Sequence, residues 1–128
     1  MTDYAELMPF AMALGITITE ANASEVVGRM DWTEDKTTTG GGMHGGALMA
    51  FADSVGAVCA FLNLPEGAGT STTSSSTVFL RAVRTGTVTA TSRPLHAGRS
   101  TIAVTTQLTD ADGRLVAQVT QTQAVLAG

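Results

Sequence analysis

A single carboxylate, Asp53, interrupts the apolar run of residues 47–62 with only Ser54 beside it, and eight residues earlier the pair Gly45-Gly46 opens that run behind His44. A carboxylate can serve as a general base or a nucleophile. Burying one is costly unless something hydrogen-bonds it. In mid-helix Asp53 is not an N-cap, which removes the commonest structural role for such a residue. Two readings stand: a working carboxylate, or a structural one tied to a backbone amide or to a hydroxyl on a neighbouring strand. The glycines suit a different task. At a helix start, free N–H groups and the positive end of the dipole favour a developing negative charge, and glycine lets a substrate approach the backbone closely. A tight loop needing positive φ would use the same residues. Spacing adds a constraint, because Gly45 and Asp53 lie ~12 Å apart along one helix axis. No single carbonyl carbon touches both. If both act on one reacting group, they come from different subunits across a two-fold interface.

The remaining polar candidates sort by type. His44, beside the helix start, is read as donating a hydrogen bond that fixes the loop, with a general-base role as the alternative. GGGMHGG lacks the Gly-Lys-Ser/Thr ending of a phosphate-binding loop. With only His44 and His96, and neither an HxxxH spacing nor a cysteine pair, no metal site is expected. The Ser/Thr run of residues 70–77 supplies hydroxyls, without the order of a nucleophilic triad. Arg81, Arg84, Arg93, His96, Arg99 and Arg114 form a basic constellation suited to an anionic ligand tail, or else a set of scattered solvated charges.

These residues need elements to hold them. Residues 47–62 read as a helix ~24 Å long, apolar on every side and therefore wrapped by the rest of the chain. It is too short and too polar for a membrane span. Residues 3–13 suggest a short N-terminal helix capped by Thr2 or Asp3, kinked near Pro9 and ended by Gly15. Residues 16–31 read as a β-segment with a turn near 22–24. Four Thr/Val-rich strands follow, at 70–80, 87–95, 99–108 and 114–126, with Ala-Gly and Asp-Gly turns of an antiparallel meander between them. On the third, Ile102, Val104, Thr106 and Leu108 share a face. The expectation is an α+β fold, a five-stranded antiparallel sheet around a buried helix. Its free edges invite pairing between chains.

At 128 residues and a net charge of −4, the chain reads as one domain, 1–128, with no basic stripe for nucleic acid. The single Cys59 lies inside the apolar helix and is expected to pack as a small hydrophobe. The N-terminal residues carry no signal-like pattern, so a cytoplasmic protein is expected, with no cofactor and no membrane partner.

The landmarks in order resemble those of a known family. His44-Gly45-Gly46, Asp53 and Gly56 match the HGG-x6-D-x2-G pattern of the PaaI-type hotdog-fold acyl-CoA thioesterases, the phenylacetate-pathway group. Phe79-Leu80-Arg81 is similar to that family's F-L-R-P strand end, and His96-Ala97-Gly98-Arg99 to its later hairpin turn. The resemblance covers about residues 14–126 and implies a long helix wrapped by an antiparallel sheet, paired into homodimers and usually homotetramers. It implies hydrolysis of an acyl-CoA with Asp53 as general base or nucleophile and the Gly45 N–H as oxyanion donor. His44 would shape the loop, and Thr72 or Thr73 would supply the strand hydroxyl. Gly46, Arg81, Gly98, Arg99 and Ser100 would line the CoA site. Two positions depart from the pattern: Thr38, counted with these binding residues, stands where the family often has an Asn or Gln that helps place water or substrate, and Ala82 stands where it has Pro. A non-catalytic acyl-CoA-binding module, indifferent to Asp53, is the alternative. A hotdog hydratase is a further one, and it lacks its acid–base pair here.

Overall fold

The computed structural model describes residues 3–127. After a 3-10 turn at Tyr4–Leu7 and a short helix α1 (Pro9–Ala13), the chain forms β1 (Thr17–Ala21) and β2 (Val26–Asp31). The long helix α2 (Gly45–Phe61) follows, then β3 (Gly69–Phe79), β4 (Thr87–Ala97), β5 (Thr101–Thr109) and β6 (Leu115–Leu126). The strands form one antiparallel sheet in the order β1-β2-β4-β5-β6-β3. This is the hotdog arrangement, with α2 packed against one face of the sheet. Among the described residues the sheet has six strands where five were expected. Asn22 makes the difference: its side-chain oxygen accepts from the backbone N–H groups of Ser24 and Glu25, an Asx turn that reverses the chain into a hairpin.

The N-terminal segment is also split. Asp3 caps the first turn through the Ala5 N–H, while Thr2 lies outside the described residues. Met8 is extended, and Pro9 starts α1 at the position where a missing N–H costs nothing. One expected helix is thus two short pieces.

Phe51, Ala52, Val55 and Val58 of α2 are buried in one core with Val88, Ala90, Val104, Val116 and Val119 of the sheet. Phe51 is fully enclosed, and truncating such a residue costs about 3–5 kcal/mol. The expectation that α2 is wrapped on every side does not hold within one chain. The sheet covers one side and the N-terminal pieces another. A stripe of Gly46, Met49, Ala50 and Asp53 lies outside both covers, with Met49 40% exposed. Among the described residues no helix is long and apolar enough to cross a membrane.

Candidate active site

The helix start is built locally. His44 is the N-cap of α2, and its Nδ1 accepts from the Gly46 N–H at 2.7 Å. The ring therefore fixes the loop as expected, but as acceptor rather than donor. A Cβ on Gly46 would come 2.8 Å from that Nδ1, which is why glycine stands there. The Gly45 N–H, in the first helical position, has no intrahelical acceptor, and the Phe79 ring lies over Gly45. The loop before it is tied down by backbone bonds from Thr38 N–H to Gly42 O, Met43 N–H to Val83 O and His44 N–H to Lys36 O. Thr38 is exposed and serves this loop through its backbone.

Asp53 sits two turns further on, part-buried on the open stripe. The Thr72 hydroxyl donates to its Oδ1 at 2.7 Å and Gln121 Nε2 donates to the same oxygen at 3.0 Å. Gln123 Nε2 donates to Thr72 Oγ1 at 2.6 Å. The choice between Thr72 and Thr73 comes from a β-bulge: Thr72 faces Gln123 and Ser74 faces Thr122, leaving Thr73 as the extra residue. Thr73 turns away and donates to Thr122 O. A bulge reverses the inside–outside alternation beyond it, so even-numbered Thr72 and odd-numbered Phe79 both point toward α2.

Gln121 and Gln123 were not singled out from the sequence, although a signal was present. They continue the period-2 register of Ala117 and Val119 on β6, the buried face of that strand, and are 1% and 0% exposed.

The expected binding residues fall into two groups. Gly98, Arg99 and Ser100 form the β4–β5 turn, closed by Gly98 N–H to Thr101 O. Ser100 O accepts from the Val125 N–H, two residues past Gln123, at the Asp53 end of the sheet. Arg81 follows β3 just beyond Phe79, at the end where α2 begins. Gln123 and Ala117, the β6 partners of Thr72 and Phe79, are about 20 Å apart along the strand. One chain thus carries two separated half-sites: Asp53, Thr72 and the 98–100 turn, and Gly45 with His44, Gly46 and Arg81. The basic constellation thins out as well. Arg84 donates to Gly40 O, Arg93 pairs with Glu25, and Arg114 pairs with Asp110 and Asp112. Arg81 and Arg99 keep side chains without a protein partner among the described residues.

The thioesterase superfamily model matches residues 40–117, which span both half-sites. The chain belongs to the thioesterase superfamily. A Mycobacterium tuberculosis protein named as an esterase is 30% identical over 114 residues, 87% of this chain and 81% of the relative. Its solved structure superposes with a TM-score of 0.92 at 29% identity, covering 94% of this chain and 98% of the other. A Vibrio cholerae protein, also named as an esterase, is 33% identical over 103 residues, 80% of this chain and 69% of the relative. A Haemophilus influenzae thioesterase gives a TM-score of 0.91 at 25% identity, covering 96% and 87%. Both names describe hydrolases, and membership of this superfamily supports a hydrolase here.

Proposed function

We propose that this superfamily member hydrolyses the thioester of a small aryl- or medium-chain acyl-CoA at a site shared by two subunits of a homodimer. The observation that carries the reading is the placement of Asp53: a hydrogen-bonded carboxylate on an uncovered stripe of α2, two turns away from the Gly45 N–H, which has no hydrogen-bond partner among the described residues. Pairing two chains along the open edge of β3, the strand that bears Thr72, would bring a partner's helix start toward Asp53. The partner's Gly45 N–H then faces the carbonyl oxygen as oxyanion donor, the kind of preorganised dipole that contributes most to acyl transfer. His44 holds that loop.

With Asp53 as general base, the oxygen of water bonds to the carbonyl carbon and its proton passes to the carboxylate. Collapse of the tetrahedral adduct breaks the C–S bond, and Asp53 returns the proton to the departing sulfur. With Asp53 as nucleophile, the carboxylate oxygen bonds to the carbonyl carbon and the C–S bond breaks to release the thiolate; water then hydrolyses the resulting mixed anhydride to the free acid and restores the carboxylate. Arg81 and Arg99, with Gly46, Gly98 and Ser100, are assigned to the CoA moiety.

The acyl group is assigned to an apolar cavity of about 170 Å³ between the N-terminal pieces and α2, lined by Tyr4, Leu7, Met8, Ala57, Val58 and Phe61. Ala57 is one turn beyond Asp53, so the cavity begins where a bound carbonyl would end. A dry cavity of roughly 150 Å³ takes a benzene ring, which matches a single aryl ring or a chain of similar bulk. We further propose a homotetramer built from two such dimers, and a cytoplasmic location that suits a lone free cysteine.

The test is thiol release from a panel of acyl- and aryl-CoA esters by wild type beside Asp53→Asn. Turnover by wild type and a loss of ~10²-fold or more in kcat for the variant is the expected result. Equal rates would remove Asp53 from the mechanism. Binding of the esters without turnover would indicate a non-catalytic acyl-CoA-binding module.

A further inference from the structure

Gln121 is an expensive residue where it stands. It is 1% exposed, and its Oε1 is buried with no hydrogen-bond partner among the described residues. A methionine or leucine would fill the same volume without an unsatisfied acceptor, as Ala117 and Val119 do earlier on the same face of β6. The helix is also shaped around it: a methyl group on Gly56 would overlap Gln121 Oε1 and lie 2.7 Å from Cδ. Gly56 is therefore glycine because the amide of Gln121 passes across the helix there to reach Asp53.

The direction of every bond in the cluster follows from one fact, that a carboxylate only accepts. Gln121 must present its N–H group to Asp53 Oδ1. Thr72 spends its one proton on the same oxygen, so it must accept from Gln123 Nε2. That turns Gln123 Oε1 toward the Thr70 hydroxyl, 3.1 Å away. Two donor arms, one direct and one through Thr72, converge on Oδ1. Among the described residues none reaches Oδ2.

We infer that Gln121 and Gln123 are positioning residues that commit Asp53 Oδ1 to the protein, leaving Oδ2 as the oxygen that meets water or the thioester, with Gly56 present to admit Gln121. The inference rests on the proposed role of Asp53 and adds which oxygen reacts and what holds it. A misplacement of about 1 Å can cost on the order of 10²-fold in rate, so losing one of two arms should cost about a tenth of that.

The experiment measures kcat, KM and melting temperature with benzoyl-CoA and hexanoyl-CoA. The set comprises wild type, Asp53→Asn, Gln121→Met, Gln123→Met, Thr72→Val, Thr72→Ser, Gly56→Ala, Gln121→Ala and the Gly56→Ala/Gln121→Ala double variant. The expected result is a kcat for Gln121→Met lower by about 10-fold, with KM within about twofold and a melting temperature at or above wild type. Gln123→Met falls less, and Thr72→Ser recovers most of what Thr72→Val loses. Gly56→Ala matches Gln121→Ala in kcat, and the double variant is no slower than either, because both changes remove the same bond. Wild-type kcat in Gln121→Met overturns the inference, as does a rate loss that only tracks lost stability, or additive losses in the double variant. If Gly56→Ala does not fold, the Gln121→Met and Thr72 variants decide alone. Asp53→Asn keeps the two ideas apart: full activity there refutes the role of Asp53 itself. Its collapse beside an intact Gln121→Met refutes only the positioning.

Discussion

The two half-sites of this chain are made in different ways. At the helix start, the parts that matter are backbone groups, and apart from Met43 N–H to Val83 O the bonds that set them span few residues: His44 to Gly46, Thr38 to Gly42, Lys36 to His44. Around Asp53 the parts are side chains from three elements, and their bonds join residues 19, 51 and 68 positions apart. A locally closed loop leaves a contiguous motif. A cluster assembled through the sheet leaves scattered Thr and Gln residues with no motif at all. The first half-site depends on helix capping and glycine, the second on the register of β3 and β6.

The two half-sites separate when each is disabled in a different subunit. Gly45→Pro removes the oxyanion N–H while leaving a residue that first helical positions accept, and His44, at φ −59 and ψ 134, already has the conformation a following proline requires. Gly45→Pro and Asp53→Asn homomers should each lose on the order of 10²-fold in kcat. Co-refolded together, they should recover about a quarter of wild-type activity, since about half the dimers are mixed and each holds one intact site of two. No recovery would place both groups' work within a single subunit, or outside catalysis.

A smaller effect tests which way the acyl group runs. Ala57→Phe fills the cavity beside Asp53 and should lower kcat/KM for hexanoyl-CoA by about 10-fold or more relative to acetyl-CoA, the scale of a few methylenes in an apolar pocket. An unchanged ratio would move the acyl site elsewhere.

The capping half-site is then probed by His44→Ala. Loss of the cap should cost about 1 kcal/mol and lower the melting temperature by a few degrees, with His44→Asn recovering most of it. A thermal melt that does not move would show that the loop is held without the ring.

The smallest effect comes from Cys59, fully buried in α2, whose thiol is pushed up to about 11 by burial. Between the ordinary thiol value near 9.0 and about 11, the unfolded chain loses a proton that the folded chain keeps. Stability therefore falls as pH rises through that window. The melting temperature of wild type should fall more steeply from pH 9 to 11 than that of Cys59→Ala. At pH 8 the thiol should resist alkylation until the protein unfolds. Parallel melting curves would show that the thiol titrates alike in both states.

By itself the sequence determined what depends on neighbours in the chain. Period-2 alternation placed β4, β5 and β6 to within a few residues, and Ile102, Val104, Thr106 and Leu108 do share the buried face. The apolar run and its glycine entry placed α2, and the spacing of Gly45 and Asp53 on one rigid helix already separated them. Tertiary structure alone decided the rest. The bulge at Thr73 selected Thr72, because alternation cannot be read across an inserted residue. The pairing of β6 with β3 delivered Gln121 and Gln123 to Asp53 and gave Gly56 its reason. Ion pairs with Glu25, Asp110 and Asp112 withdrew Arg93 and Arg114 from the basic constellation. A helix apolar on every side proved to have one side open, because a single sheet cannot surround it. Periodicity and capping are short-range and leave their mark within a turn or a strand. Which distant side chain completes a carboxylate's hydrogen bonds is set only when the sheet closes over the helix.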